Sequence, residues 1–320
     1  MNILKKTLCL SVMGTALLAT TSMALAAECP DGFPSKPINY WVGYGAGGGT
    51  DTIARALATE MESALGWTVI VQNKPGASSS VMMSQLAVAP ADGYTIGVTS
   101  SGSVTKFPYL NKKSPYTKDD FDYPGTAQEA VVSIVAAADA PFNNFEELLE
   151  YGRAHDNRIT IAAASGSVEI FTKAFTAKTG VTFVHVPTKG STAALQSVLG
   201  GHVDITLQGT GHVQHLKAGK MKQVFTIGDK RPVFAPDSKT TVELGYDLKG
   251  TNSYVLFAMP KNIDPAVKTC IETALADATN SQGFAKLQAN FDQIPTNLGP
   301  VGTKAKLDEI ATVFKAYYAK

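Results

Sequence analysis

Cysteine is scarce in this chain: three residues in 320 are too few for a disulfide framework or a cysteine-rich zinc site. No sign of charge dominates either. With 28 Lys and Arg against 27 Asp and Glu there is no net positive field, which excludes nucleic acid and anionic membrane as electrostatic partners. Charged residues make up only 17% against 44% hydrophobic, which rules out a disordered or coiled-coil chain, and no internal repeat or low-complexity tract occurs. There is no G-x-S-x-G elbow and no phosphate-loop lysine, so serine-hydrolase and nucleoside-triphosphate chemistry lack their sequence marks.

At 320 residues the chain exceeds one ordinary domain of about 150 residues, so two lobes or one large fold are expected. The first residues read as an address. Lys5 and Lys6 precede an apolar run over residues 7–23, and Ala24-Leu25-Ala26 then offers the small-x-small pattern that signal peptidase cuts. Residues 1–26 are therefore expected to be a signal peptide, and the exported chain to be soluble. Thr, Ser and Gly interrupt the run, whereas a membrane span needs about 20 predominantly apolar residues. Cys29 follows Ala27-Glu28 and not the small uncharged residues of a lipid-modified start. Loss of Cys9 leaves Cys29 and Cys270, which either oxidise to one bridge or stay as two unrelated thiols.

Beyond the leader, short β-rich runs alternate with helical patterns, the mark of an α/β fold with largely parallel strands. Strands are expected over residues 38–44, 69–72, 95–99, 131–137, 159–163, 183–186, 204–208, 224–227 and 254–258. Helices are expected over 50–65, 79–88, 144–154, 167–178, 193–199, 265–280 and 304–318. In the first helix Ile53, Ala54, Leu57, Ala58, Met61 and Leu65 recur at helical spacing, with Thr50 or Asp51 as its cap. A stretch over 107–124, rich in Pro, Lys and Asp, has no period and reads as a connection.

The segment Gly43-Tyr44-Gly45-Ala46-Gly47-Gly48-Gly49-Thr50-Asp51 lies between a strand and a helix. Glycines let main-chain N–H groups face a ligand directly, and the helix start adds partial positive charge, so the place suits an anion. A tight connection without a ligand is the plainer alternative. Gly43, Gly45 and Gly48 also match G-x-G-x-x-G, which keeps a secreted dinucleotide-dependent oxidoreductase open. Against it, so glycine-rich a segment matches almost unavoidably, and the acid expected about 20 residues on is sought among Glu60 and Glu62, inside the helix. His212-x-x-His215 with His202 nearby has no Cys or acidic partner at metal spacing, so no metal and no cofactor are expected. Ser101 and Gly102 end an expected strand, at the edge where ligands bind in open α/β sheets.

Several short motifs follow one another in a fixed order. They are Gly47-Gly48-Gly49-Thr50-Asp51-x-x-Ala54-Arg55, Asn73-x-Pro75-Gly76-Ala77, Asp92-Gly93-Tyr94-Thr95 and Val186-Pro187-x-Lys189-Gly190, then Leu199-Gly200-Gly201-x-Val203-Asp204 and Lys217-Ala218-Gly219. In these the chain resembles the solute receptors of tripartite tricarboxylate transporters, the Bug family of periplasmic proteins, over nearly its whole mature length. The resemblance implies a two-lobed type II periplasmic-binding fold, each lobe a mostly parallel sheet flanked by helices. Its lobes would be residues 27–103 plus 229–320 and residues 104–228, joined by a two-strand hinge near Ser103–Thr105 and Gly228–Arg231.

It implies a non-enzymatic periplasmic monomer that closes on a small carboxylate, di- or tricarboxylate or aromatic acid, and hands it to membrane permease subunits. The same fold coupled to a sensor is the alternative. Carried over by position, Tyr44 stands beside the ligand where the family has Phe, and Ala46, Gly47, Gly48 and Gly49 supply amides, with Asp51 either capping or touching the ligand. The second lobe would contribute Ser165, Gly166 and Ser167, the turn Pro187-Thr188-Lys189-Gly190, and Gln208. Departures include Ser78, Ser79 and Ser80 where glycines are usual and Thr188 in place of Tyr. N-terminal mass spectrometry of the exported protein is expected to find Ala27 as the first residue; an intact Met1 would refute cleavage.

Overall fold

A computed structural model describes residues 29–111, 113–163, 168–188, 190–209, 211–246 and 252–318. The expected leader, the turn Ser165-Gly166-Ser167 and Lys189 lie outside the described residues. The chain begins β1 (Ile38–Val42), α1 (Gly49–Leu65), β2 (Val69–Asn73), α2 (Ser80–Leu86), β3 (Thr95–Ser100), then two short helices, α3 (Ser101–Thr105) and α4 (Phe107–Leu110), and β4 (Phe121–Ala130). It continues through β5 (Val132–Ala137), α5 (Phe145–Ala154), β6 (Arg158–Ala163), α6 (Val168–Thr179), β7 (Thr182–Pro187), α7 (Ser191–Leu199), β8 (Ile205–Gln208), α8 (Val213–Lys217) and β9 (Met221–Ile227). β10 (Ser253–Pro260), α9 (Pro265–Thr279), α10 (Gln282–Ala289) and α11 (Gly299–Tyr318) close it.

Local sequence explains the boundaries that matter. Ile38, Tyr40 and Val42 alternate into the core along β1, while α1 buries Ile53, Ala54, Leu57, Ala58 and Met61 on one face. α1 ends where Gly66 takes φ 67° and gives its amide to the Glu62 carbonyl, a conformation that costs a residue with a side chain about 1 kcal/mol or more. Asn144 and Asp264 accept first-turn amides of α5 and α9 with their side chains.

Two five-stranded sheets share one design. The first has the order β2-β1-β3-β10-β4 and the second β7-β6-β8-β5-β9. In each, three neighbouring strands are parallel and the fourth position is taken by a reversed strand, β10 or β5. Both faces of each sheet are covered: on the first, α1 and α9 pack around Leu57, Phe257 and Ile271 and α2, α3 and α11 pack opposite them around Met82, Val104 and Leu307; on the second, α5 and α6 pack around Phe145, Phe175 and Phe225 and α7 packs opposite them around Leu195 and Val198. Among the described residues no helix is long and apolar enough to cross a membrane.

The topology corrects the expected lobe boundaries. β4 pairs with β10 in the first sheet, so residues 104–130 belong to the first lobe, and the chain crosses at Ala130–Val132 rather than at Ser103–Thr105. Pro124 and Gly125 interrupt the polar-apolar alternation of β4, and its middle is buried, so the run looked like a connection. The return crossing is also later than Gly228–Arg231. Thr240 bridges Thr226, and Tyr246 packs on Phe145 and Phe175, so the chain stays with the second lobe to Tyr246. The two crossings meet at one polar junction, where Glu129 takes Nδ2 of Asn252 at 2.7 Å and Nζ of Lys230 at 2.9 Å. Burial alone would raise the Glu129 pKa, but these bonds and one from Tyr254 more than offset it and hold the carboxyl below its usual range.

Cys29 and Cys270 are joined, with Cα atoms 4.8 Å apart, tying the start of the described chain to α9 across a sequence separation of 241. In the chain-entropy account so long a loop contributes at most about 5 kcal/mol. Cys270→Ala is expected to lower stability by about 3 kcal/mol in denaturant unfolding, and thiol titration of the denatured, unreduced mature protein to find no free thiol. Gly228 has φ 107°, and a Cβ there would overlap Oδ1 of Asn252. Gly228→Ala is therefore expected to cost about 2 kcal/mol in the same measurement.

Candidate functional site

The carboxyl ends of β1 and β3 in the first lobe, and of β6 and β7 in the second, each run into a helix start. The first of these is the glycine loop. The cap of α1 is Gly48, which has no side chain to satisfy the first-turn amides, so those of Gly49 and Thr50 have no acceptor within the helix. Asp51 is not that cap but occupies the third helical position. Its Oδ2 reaches back to accept the Gly47 amide at 2.9 Å and Nε of Arg55 at 3.0 Å, while Oδ1 accepts Nδ2 of Asn73 at 2.8 Å. Asn73 donates as well to the Tyr44 carbonyl at 3.0 Å and accepts from Arg55 at 3.0 Å.

Asp51 is only 2% exposed, and its known partners are protein donors, so it braces the loop rather than facing the cleft. Burial alone would raise its pKa; the bonds from Arg55, Gly47 and Asn73 outweigh that and hold the carboxyl below its usual range. Asp51 takes the Gly47 amide and the Gly45 carbonyl takes that of Gly48 at 3.4 Å, so of the four amides expected to serve a ligand those of Ala46 and Gly49 stay open among the described residues, joined by that of Thr50. Gly47 is needed for its φ of 76°, whereas Gly48 lies in the extended region that any residue adopts.

Beside this loop the Tyr44 hydroxyl lies 2.6 Å from Oγ of Ser100 and 3.4 Å from Oγ of Ser103. Ser103 shares a bond of 2.6 Å with Thr99, which donates to Ser79 at 2.7 Å. Ser79 in turn fills the space where a side chain on Gly43 would stand. Ala77, Ser78 and Ser79 all take positive φ (43°, 53° and 74°), so two of the three serines found in place of the expected glycines carry backbone strain, and the hydroxyl chain holds Ser79, while Ser80 is ordinary helix. Ser101 differs from expectation. It opens α3 rather than ending a strand, is 2% exposed, and accepts the Tyr254 amide at 3.1 Å, so it holds β10 and not the cleft, while Gly102 is half-buried in the same first turn.

Sequence reasoning missed Ser100, Ser103 and Lys106. They recur every three residues from the α3 cap, so they run along one side of that short helix. Lys106 is only 6% exposed and makes no hydrogen bond or ion pair among the described residues. Burial pushes its ammonium down to about 8, opposed by the field of Glu169 at the start of α6 on the other lobe.

In the second lobe, α7 starts at Gly190, which again supplies no side-chain cap. Pro187 ends β7 and Thr188 follows it, donating its amide to Ala163 of β6 at 3.2 Å, so the turn leads from the sheet's carboxyl edge into an open helix start. Gln208 is 2% exposed and donates Nε2 to the Ser191 carbonyl at 3.0 Å and to Thr206 at 3.1 Å, pinning α7 to β8. His212 is fully buried against Phe234, and among the described residues no three His, Cys, Asp or Glu gather as a metal site.

The model of the tripartite tricarboxylate transporter family receptor matches residues 53–303. The chain belongs to this receptor family. Its members are transporter receptors and not enzymes. This receptor is 30% identical over 283 residues to the UPF0065 protein in the gbd 5' region of Cupriavidus necator, covering 88% of this chain and 86% of that one. Its fold matches the periplasmic binding protein BugD with a TM-score of 0.76 at 29% identity, covering 89% of this chain and 98% of BugD. It also matches R. palustris Rpa4515 with adipate, with a TM-score of 0.80 at 22% identity over 90% and 98% of the two chains. The receptor is thus a two-lobed type II periplasmic-binding fold.

The buried ammonium gives a pH test. With a folded pKa near 8 against 10.5 unfolded, Lys106 carries its charge in both states below pH 8, where the folded state bears a cost of about 3 kcal/mol. The cost fades between pH 8 and 10.5 as the folded form sheds its proton first. Free Lys106→Met protein is therefore expected to be more stable than wild type at pH 7, with the gap closing toward pH 10.5 in parallel denaturant unfolding.

Proposed function

We propose that this receptor works in the periplasm, binds a small carboxylate between its two lobes, and delivers it to the permease of a tripartite transporter. The observation that carries this is the uncapped start of α1: open amides from Ala46, Gly49 and Thr50, held in place by Asp51 and Asn73 and flanked by the hydroxyls of Tyr44 and Ser100. Such a start offers N–H donors and partial positive charge to an anion without requiring a cation. The open start of α7 after Pro187, Thr188, Lys189 and Gly190 gives the facing lobe the same chemistry, and Ser165, Gly166 and Ser167 precede α6 there. Closure of the lobes about the crossings at Ala130–Val132 and before Ser253 would bring the two edges together around the ligand and present both lobes to the permease in one fixed relation. A protein of the same fold holding adipate is consistent with a carboxylate of this size.

Thermal unfolding of refolded, ligand-free protein tests the reading against C4 to C6 di- and tricarboxylates, aromatic acids, acidic amino acids and NAD. A carboxylate at a hundredfold excess over its Kd is expected to add about 2.7 kcal/mol, while NAD shifts nothing. A shift with NAD alone would favour a dinucleotide enzyme. A Cβ at Gly48 would come 3.3 Å from the Gly45 carbonyl oxygen, so Gly48→Val with Gly49→Val crowds the loop and is expected to lose the carboxylate response, with far-UV circular dichroism of the unliganded variant checking that it folds.

A further inference from the structure

We propose that Lys106 is a direct ligand contact, the cation that takes the second carboxylate of a dicarboxylate whose first carboxylate sits on the α1 start. This rests on the receptor reading above and adds to it a charge-reading residue.

A lysine ammonium withdrawn from water without a counter-ion is expensive, and protein interiors keep one only where something repays the desolvation. Lys106 is 94% withdrawn by the measure of its 6% exposure, yet no protein acceptor meets it among the described residues. Its place is the far end of α3, one turn beyond Ser103, whose hydroxyl is 3.4 Å from that of Tyr44. Side chains three apart on a helix have Cβ atoms about 5–6 Å apart, so the ammonium stem starts within reach of the Tyr44 hydroxyl cluster beside the glycine loop.

The carboxylate whose field acts on Lys106 is Glu169, exposed near the start of α6 in the second lobe, while α3 itself begins at the carboxyl end of β3 beside the Tyr44 hydroxyl cluster. The two do not form an ion pair within 4 Å, so the lysine's counter-charge is still to be supplied. A ligand bearing a single carboxylate satisfies the α1 amides and leaves Lys106 uncompensated. One with a second carboxylate at the other end satisfies both, so Lys106 selects for charge number where backbone amides cannot.

Calorimetric titration of wild type, Lys106→Met, Lys106→Arg and Glu169→Gln with succinate, glutarate and adipate, and with butyrate, pentanoate and hexanoate, tests this. Lys106→Met conserves volume, and its unliganded melting midpoint at or above wild type certifies the fold. A charge-assisted bond corresponds to about 10- to 100-fold in Kd, so Lys106→Met is expected to lose that much for the best dicarboxylate and nothing for its monocarboxylate match, with Lys106→Arg recovering part. Unchanged dicarboxylate affinity in Lys106→Met would overturn the assignment. Equal losses for mono- and dicarboxylates in both Lys106→Met and Glu169→Gln would overturn it in favour of a latch between the lobes. If wild type binds none of these acids but another carboxylate raises its melting midpoint, the assignment of Lys106 to a dicarboxylate falls while the receptor reading stands; silence from every carboxylate overturns both.

Discussion

The glycine loop at the carboxyl edge of the first lobe depends on one buried carboxylate. Asp51 sits in the first turn of α1 and draws the Gly47 amide, Arg55 and Asn73 onto itself, while Asn73 reaches on to the Tyr44 carbonyl. A segment this rich in glycine has much conformational freedom to lose, and four hydrogen bonds from three sides are what hold it in one arrangement. The consequence is a division of labour. The charged side chain is consumed inside the protein, and the groups left pointing outward are neutral amides and hydroxyls. Neutral donors of this kind do not distinguish one carboxylate from another, so under the proposed function selectivity would lie with the groups around them.

Much of the architecture was legible in the sequence because it rests on patterns that burial enforces. The helical spacing from Ile53 to Leu65 and the alternation along β1 were readable because each has one buried face. The fixed-order motifs were readable for a different reason. Asp92 accepts the amide of Tyr94, and Asp204 accepts from Tyr151 and Thr160, so these acids fasten a turn and a strand. Gly93, Gly201 and Gly219 take φ of 81°, 70° and 67°, which only glycine adopts freely.

What stayed illegible has physical causes as well. β4 is largely buried yet carries Pro124 and Gly125, so neither period nor composition marks it, and missing it displaced the first lobe boundary. α8 and α10, of five and eight residues, are too short for a helical period to show. Lys106 borders the stretch over 107–124 that reads as a connection, and no local pattern announces that a lysine will be buried; only the packing of α3 and α4 under the rest of the lobe does so. Ser101 and Ser100 are adjacent and chemically identical, and the start of a helix between them sends one to the core and the other to Tyr44.

The position of β10 bears on how the chain acquires its shape. The second sheet is built entirely from one continuous stretch, β5 to β9, whereas the first has a gap between β3 and β4 that only β10 fills, from more than a hundred residues further on. As the polypeptide emerges from its N-terminus, the second lobe has all its strands while the first still exposes two unpaired edges, at β3 and β4. Such long-range closure is slow, so the nascent first lobe is the half in need of protection from edge-to-edge aggregation until its last third arrives.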